Sequence, residues 1–132
     1  MTQEQKELLL KDLCARIPYY VKCNYNDIYN KHNGTLMSIN NNRVTIDGIC
    51  KDIVDVKPYL FPMSSMTEEQ KKEYTHIVNY ISSDDTDNWK EGEFIYVEQL
   101  EQLMHFYHKN HLDYRGLIEK GLSLDATELN VY

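Results

Sequence analysis

Lys57–Gln70 reads KPYLFPMSSMTEEQ, and the character of the chain changes across it. Ahead of it, apolar residues alternate and turn-forming pairs are frequent. Behind it, apolar residues recur at helical spacing. Pro58 and Pro62 lack a backbone N–H, so neither suits the middle of a sheet ladder or a helix. Each also biases the residue before it, Lys57 and Phe61, towards extended geometry. With Tyr59, Leu60 and Phe61 between them, the prolines predict a rigid extended strap laid on a core. Thr67-Glu68-Glu69-Gln70 then has the form of a capping box. Its Thr67 hydroxyl would accept from the Gln70 N–H, while the Gln70 side chain reaches back to Thr67. Glu68 and Glu69 occupy the first turn, where the helix dipole favours negative charge.

Working outward, the N-terminal side reads as one helix and a small sheet. Leu9, Leu10, Leu13 and Ile17 recur at helical intervals over residues 3–16, with Glu4, Lys6, Lys11 and Asp12 assigned elsewhere on the helix. Thr2 and Gln5 form a second capping pair, Lys11 and Arg16 suit the far end of the dipole, and Pro18 limits the helix. Tyr19, Val21, Cys23 and Tyr25 alternate against Tyr20, Lys22 and Asn24. Asn33-Gly34, Asn40-Asn41-Asn42 and Asp47-Gly48 are turn signals that tolerate positive φ. Val44 and Ile46 alternate between the last two. Residues 49–56 supply a final strand, bent near Lys51-Asp52. Four or five short strands at this spacing predict a small, strongly bent antiparallel sheet, SH3-like or barrel-like.

The other side reads as helical. Tyr74, Ile77, Val78 and Ile81 mark a helix over 67–81. Ser82–Asn88 is expected to end it in an acidic loop, Lys90-Glu91-Gly92 to turn the chain, and residues 93–96 to form a short strand or helix approach. A third helix is expected from Val97 to Asn110, with Val97, Leu100, Met104, Tyr107 and His111 on one face. Asp113 is placed to cap a short helix, with Leu112 and Leu117 as a staple. Gly121 is placed as its left-handed end, closed by Leu122. The expected fold class is α+β in one domain spanning 1–132: helix and sheet over 1–57, the proline strap over 58–66, and an acidic helical part of two to three helices over 67–132.

Composition narrows the function classes. The 132 residues carry a net charge of −7. The charge is uneven: residues 1–57 hold 8 Lys+Arg and 7 Asp+Glu, whereas residues 58–132 hold 6 and 14. An acidic second half argues against broad phosphate-backbone binding. The longest aliphatic run near the start, Leu8-Leu9-Leu10, is far short of a membrane span, and the first residues lack the pattern of a secretory signal. A cytoplasmic location is the expectation. Three cysteines, Cys14, Cys23 and Cys50, without CxxC spacing fit reduced thiols better than disulfides or a zinc site. The sequon at Asn33-Gly34-Thr35 is inert without secretion.

Few residues group in a way that suggests chemistry. Glu101, His105 and His108 fall within about 60° of one another on a helix, and a carboxylate with two imidazoles can hold zinc or iron. HExxH is absent, however, and no second helix offers matching ligands. A solvated helix flank with two titrating histidines is the plainer reading. His111 reads as a half-buried, hydrogen-bonded residue. Asp84, Asp85 and Asp87 miss the glycine of a calcium loop, and no GxSxG, P-loop or GxGxxG occurs. No catalytic, cofactor-binding or metal-binding residue is assigned, and no cofactor is expected.

KPYLFPMSSMTEEQKKEY at 57–74, HLDYRGLIEKGLSLDA at 111–126 and KDLCARIPYYVK at 11–22 together resemble a set of short uncharacterised proteins of gut Bacteroides and their prophages. The resemblance spans most of the chain and implies a protein of a bacterial or phage mobile element. No activity or site residue transfers with it. Eleven tyrosines against three Phe and one Trp supply many rings that are apolar in body and polar at the tip. The expected function is therefore a non-enzymatic protein-interaction module, docking another protein through tyrosines near the strap. The alternative is single-stranded nucleic-acid binding by Tyr19, Tyr20, Tyr25 and Tyr29 with Lys22, Lys31 and Arg43 nearby.

Overall fold

The computed structural model describes residues 1–26, 31–82 and 89–132, with the backbone alone at 31, 80–82 and 89–97. Helix α1 (Gln3–Arg16) starts on the expected capping box: the Thr2 side chain accepts from the Gln5 N–H, and Gln5 answers. Leu9 and Leu13 are fully buried on it. Pro18 then directs a single 3-10 turn over Ile17–Tyr19, and the chain enters the sheet.

Strands β1 (Lys22–Asn26), β2 (Lys31–Asn40), β3 (Arg43–Ile46) and β4 (Ile49–Asp52) follow one another as antiparallel neighbours. Two of the three expected turns are present. Asn41 turns the chain at φ 56°, and Asp47-Gly48 does so at φ 49° and 85°, the pair of positive values a tight hairpin needs. Asn33-Gly34 is not a turn. Both residues lie inside β2, opposite Asn24 and Cys23, and Gly34 serves there by its missing side chain. A Cβ on it would come within 2.5 Å of an Asp47 carboxylate oxygen and 2.6 Å of Ile46. Glycine inside a strand marks such close approaches. Beside it, Met37 sits at a break in register between Leu36 and Ser38 and is exposed.

Lys57–Pro62 is also more than a strap. It belongs to strand β5 (Val56–Pro62), which three partners share in succession. Val56–Pro58 pairs antiparallel with β1. Tyr59 and Leu60 pair parallel with β7 (Leu124–Asp125), and Phe61 and Pro62 pair parallel with β6 (Leu112–Asp113). Each proline is the last residue of one ladder, where a missing N–H does least harm. The bend expected near Lys51-Asp52 occurs at a 3-10 turn over Ile53–Asp55, capped by the Asp52 side chain.

Helix α2 (Glu68–Ser82) opens on the Thr67–Gln70 box, with bonds of 3.1 and 2.9 Å. The acidic residues Asp84, Asp85 and Asp87 lie outside the described residues. Helix α3 runs from Trp89 to Lys109, so Lys90-Glu91-Gly92 is helical and residues 93–96 form no strand. One glycine costs a helix only about 1 kcal/mol relative to alanine. The buried face of α3 is also rotated from the expected one. Phe106 is buried with Leu103 and Tyr107 beside it, while Leu100 is exposed. Helices α2 and α3 pack side by side, with Glu73 paired to Lys109 and Gln70 bonded to Asn110.

The expected short helix after Asp113 is a set of turns, because Gly116 takes φ 71°. Its caps are nevertheless in place. The Asp113 carboxylate accepts from the Leu117 and Ile118 N–H groups. Gly121 at φ 72° closes the far end, with Leu122 N–H donating to Leu117 and Gly121 N–H to Ile118, the bonding of a Schellman motif.

The architecture is α+β, with sheet order β4-β3-β2-β1-β5-β6 and β7 on β5. Among the described residues the sheet is mixed and open, without the barrel-like closure expected from the sequence. The edge of β5 that a closing strand would need is taken by the C-terminal strands. One apolar core gathers Leu9 and Leu13 with Val21, Cys23, Leu36, Ile46, Val56 and Leu60, and with Leu117 and Leu122 from the C-terminal turns. A second core joins α2, α3 and β6 through Ile77, Phe106 and Leu112.

Candidate functional site

Between these two cores runs a seam of charged and aromatic side chains. Asp12 and Arg16, four residues apart on α1, are both 0% exposed. Arg16 Nε donates to Asp12 Oδ2 at 2.7 Å, and its Nη2 donates to the Leu112 carbonyl at 2.7 Å. Arg115 Nε reaches the other Asp12 oxygen at 3.2 Å. The sequence reading sets Asp12 largely apart from the apolar residues of α1 and gives Arg16 to its dipole. Both are instead sealed against the C-terminal turns.

Rings line the rest of the seam. His108 Nε2 is 2.8 Å from the Tyr114 hydroxyl, and His105 Nδ1 is 2.8 Å from the Tyr19 hydroxyl. The Tyr19 ring touches both histidines, with centroids 5.4 Å away in each case. Tyr107 stacks on Tyr114 at 4.7 Å. The Arg16 and Arg115 guanidiniums lie 5.3 and 5.0 Å from the Tyr114 ring centre, within range of cation–π attraction. Burial, aided by the Arg16 charge, pushes His108 down to about 4 and His111 likewise. Both are neutral at pH 7. Burial also pushes the Tyr107 hydroxyl up to about 12.

Among the described residues, two buried polar atoms along this seam have no hydrogen-bond partner: Arg16 Nη1 and His111 Nδ1. His111 stacks on Tyr132 with centroids 3.8 Å apart. The Tyr132 hydroxyl accepts from the Lys22 N–H at 2.9 Å and donates to the Tyr59 carbonyl at 2.7 Å. Lys22 and Tyr59 would be the next β1–β5 pair after Cys23 and Pro58, so this hydroxyl stands in for the ladder bond there. The ring edge is open, but the hydroxyl is enclosed, which raises its pKa.

The residues picked out from sequence fare differently. His105 and His108 are spoken for by tyrosines, and Glu101 is exposed. Among the described residues, no three His, Cys, Asp or Glu side chains are grouped as metal ligands. Of the four stacking candidates, Tyr25 is buried against His32, Tyr19 is half-buried, Tyr20 is 73% exposed, and Tyr29 lies outside the described residues. The three described rings differ in exposure, from buried Tyr25 to exposed Tyr20. Tyr59, in the supposed strap, is buried and donates to Asn33. Cys14 and Cys50 are exposed, and burial raises the pKa of Cys23.

Asp12, Arg16 and Arg115 were not chosen from sequence. One signal was available: Leu9 and Arg16 are seven apart, within about 20° on a helix. Apart from the seam, an open cleft of about 600 Å³ is lined by Pro62, Ser64, Ser65, Asp125, Thr127, Glu128 and Leu129. Among the described residues, no helix is long and apolar enough to cross a membrane. Comparison with family models, curated proteins and solved structures finds no match.

Proposed function

We propose that this chain is a non-enzymatic protein-interaction module of a bacterial or phage mobile element. The mobile-element part rests on the resemblance of residues 11–22, 57–74 and 111–126 alone. The interaction part rests chiefly on Tyr20. Its backbone sits in the left-handed region at φ 59° and ψ 43°, and its ring is 73% exposed. A bulky residue in that region costs about 1–2 kcal/mol, and an exposed ring recovers little of it. Such strain tends to collect where function needs a side chain presented.

Tyr20 does not stand alone. Tyr19, Tyr107 and Tyr114 are half-buried, and Arg115 lies against Tyr114. Tyr and Arg are the side chains that dominate interface energetics. These side chains support a docking surface at the end of α1 and the C-terminal end of α3, away from the strand over 57–62.

Tyr20→Gly separates the two roles of this position. Glycine accepts the backbone geometry, so denaturant unfolding should show stability unchanged or raised, by up to about 1 kcal/mol. Affinity capture with the wild-type chain should recover a partner that the variant loses. A variant that captures the same partner as the wild type would overturn the reading.

A further inference from the structure

We infer that the Arg16–Arg115–Tyr114 corner of the seam is a binding site for an oxyanion, either a carboxylate or a phosphate. The corner shares Tyr114 and Arg115 with the proposed docking surface, but anion binding there does not depend on a protein partner.

Two guanidiniums share one carboxylate. Arg16 and Arg115 each bond Asp12 through Nε, and among the described residues no other carboxylate is within ion-pair distance of either. The facing ring groups do not offset the surplus. His108 is held neutral, and Tyr114 is held protonated because burial raises its pKa. Tyr19 and His105 pair with each other at the exposed end. A positive charge therefore remains at this corner of a protein whose net charge is −7.

The donors tell the same story. A guanidinium has five N–H donors in a planar fork suited to carboxylate or phosphate oxygens. Arg16 leaves Nη1 buried and, among the described residues, unpaired. Buried charged donors are costly to leave unmet, and native proteins rarely do so. Arg115 commits Nε to Asp12 and lies beside the Tyr114 hydroxyl. Its side chain is 20% exposed, so it forms the solvent-facing rim, with Arg16 behind it. An oxyanion placed there would meet the terminal nitrogens of Arg115 and the field of Arg16.

The test compares phosphate and acetate with chloride at matched ionic strength and pH 7. Thermal unfolding and titration calorimetry should show saturable stabilisation and binding by phosphate, acetate or both. The stronger of the two identifies the ligand group as phosphoryl or carboxylate. Arg115→Gln should weaken binding at least tenfold, whereas Lys109→Gln, which removes a cation paired with Glu73 on the neighbouring helices, should leave it unchanged. Should Arg115→Gln fail to fold, the wild-type chain still decides. Ring resonances of His105 and His108 must move on adding the anion, while those of exposed His76 on α2 stay in place. If neither anion exceeds chloride, ordered water meets the surplus donors and the inference fails. It fails equally if folded Arg115→Gln binds as the wild type does.

Discussion

The buried face of helix α1 reaches two different neighbourhoods. Leu9 and Leu13 enter an apolar core shared with the sheet, and Asp12 and Arg16 enter the polar seam under α3 and the C-terminal turns. All four side chains are fully buried. The apolar side is held by surface removed from water, which is non-directional. The polar side is held by a few bonds of fixed geometry, whose attraction must first offset the desolvation of the ions. Equal burial therefore implies unequal tolerance: the core can adjust around a lost methyl group, whereas the seam cannot replace a lost carboxylate.

The sharpest way to break this comparison is Asp12→Ala. It strands two guanidiniums, one of them enclosed, and is expected to cost about 3–5 kcal/mol in urea unfolding. The double variant Asp12→Leu/Arg16→Met should be less destabilised than Asp12→Ala, because it removes the charge along with its partner. Leu13→Ala, next to it on the same helix, should cost about 2–5 kcal/mol. If Asp12→Ala costs well under about 3 kcal/mol, the seam is hydrated and the contrast is false.

Smaller effects sharpen the boundary between the two regions. Tyr132→Phe deletes the hydroxyl that bridges Lys22 and Tyr59. It leaves a backbone donor and acceptor to find each other or water, at a cost of about 1–2 kcal/mol by the same unfolding assay. Acid should act on the seam before the core. His108 has a folded pKa of about 4 against an ordinary 6.5, so between these values the unfolded chain binds more protons. Stability then falls as pH drops through that window and is fully present above it. His108→Gln, which keeps a partner for Tyr114, should flatten the slope of stability between pH 6.5 and 4. An unchanged slope would show that His108 stays exposed to solvent.

Local signals were legible wherever neighbouring residues alone settled the energy. The Thr2–Gln5 and Thr67–Gln70 boxes formed because both partners lie within one helical turn. The turns at Asn41 and Asp47-Gly48 formed because few residues accept positive φ. Asn33-Gly34 failed for the converse reason. The pair suits a turn, but Asp47 and Ile46 arrive from another strand and need the space beside Gly34. Nothing near Gly34 in the chain announces them. The candidate site was still less visible. Asp12 meets Arg115 across 103 positions, and charges on a helix are ordinarily solvated.

The α+β class, the helix caps, two tight turns and the change of character at Pro58–Pro62 can be read along the chain, because propensity, capping and backbone sterics act over a few residues. Packing between distant segments makes the stretch between the prolines a strand shared by three partners, leaves the sheet open, and seals Asp12 and Arg16 inside. Those outcomes depend on which distant segments remove one another from water, and that free energy has no local signature in the chain.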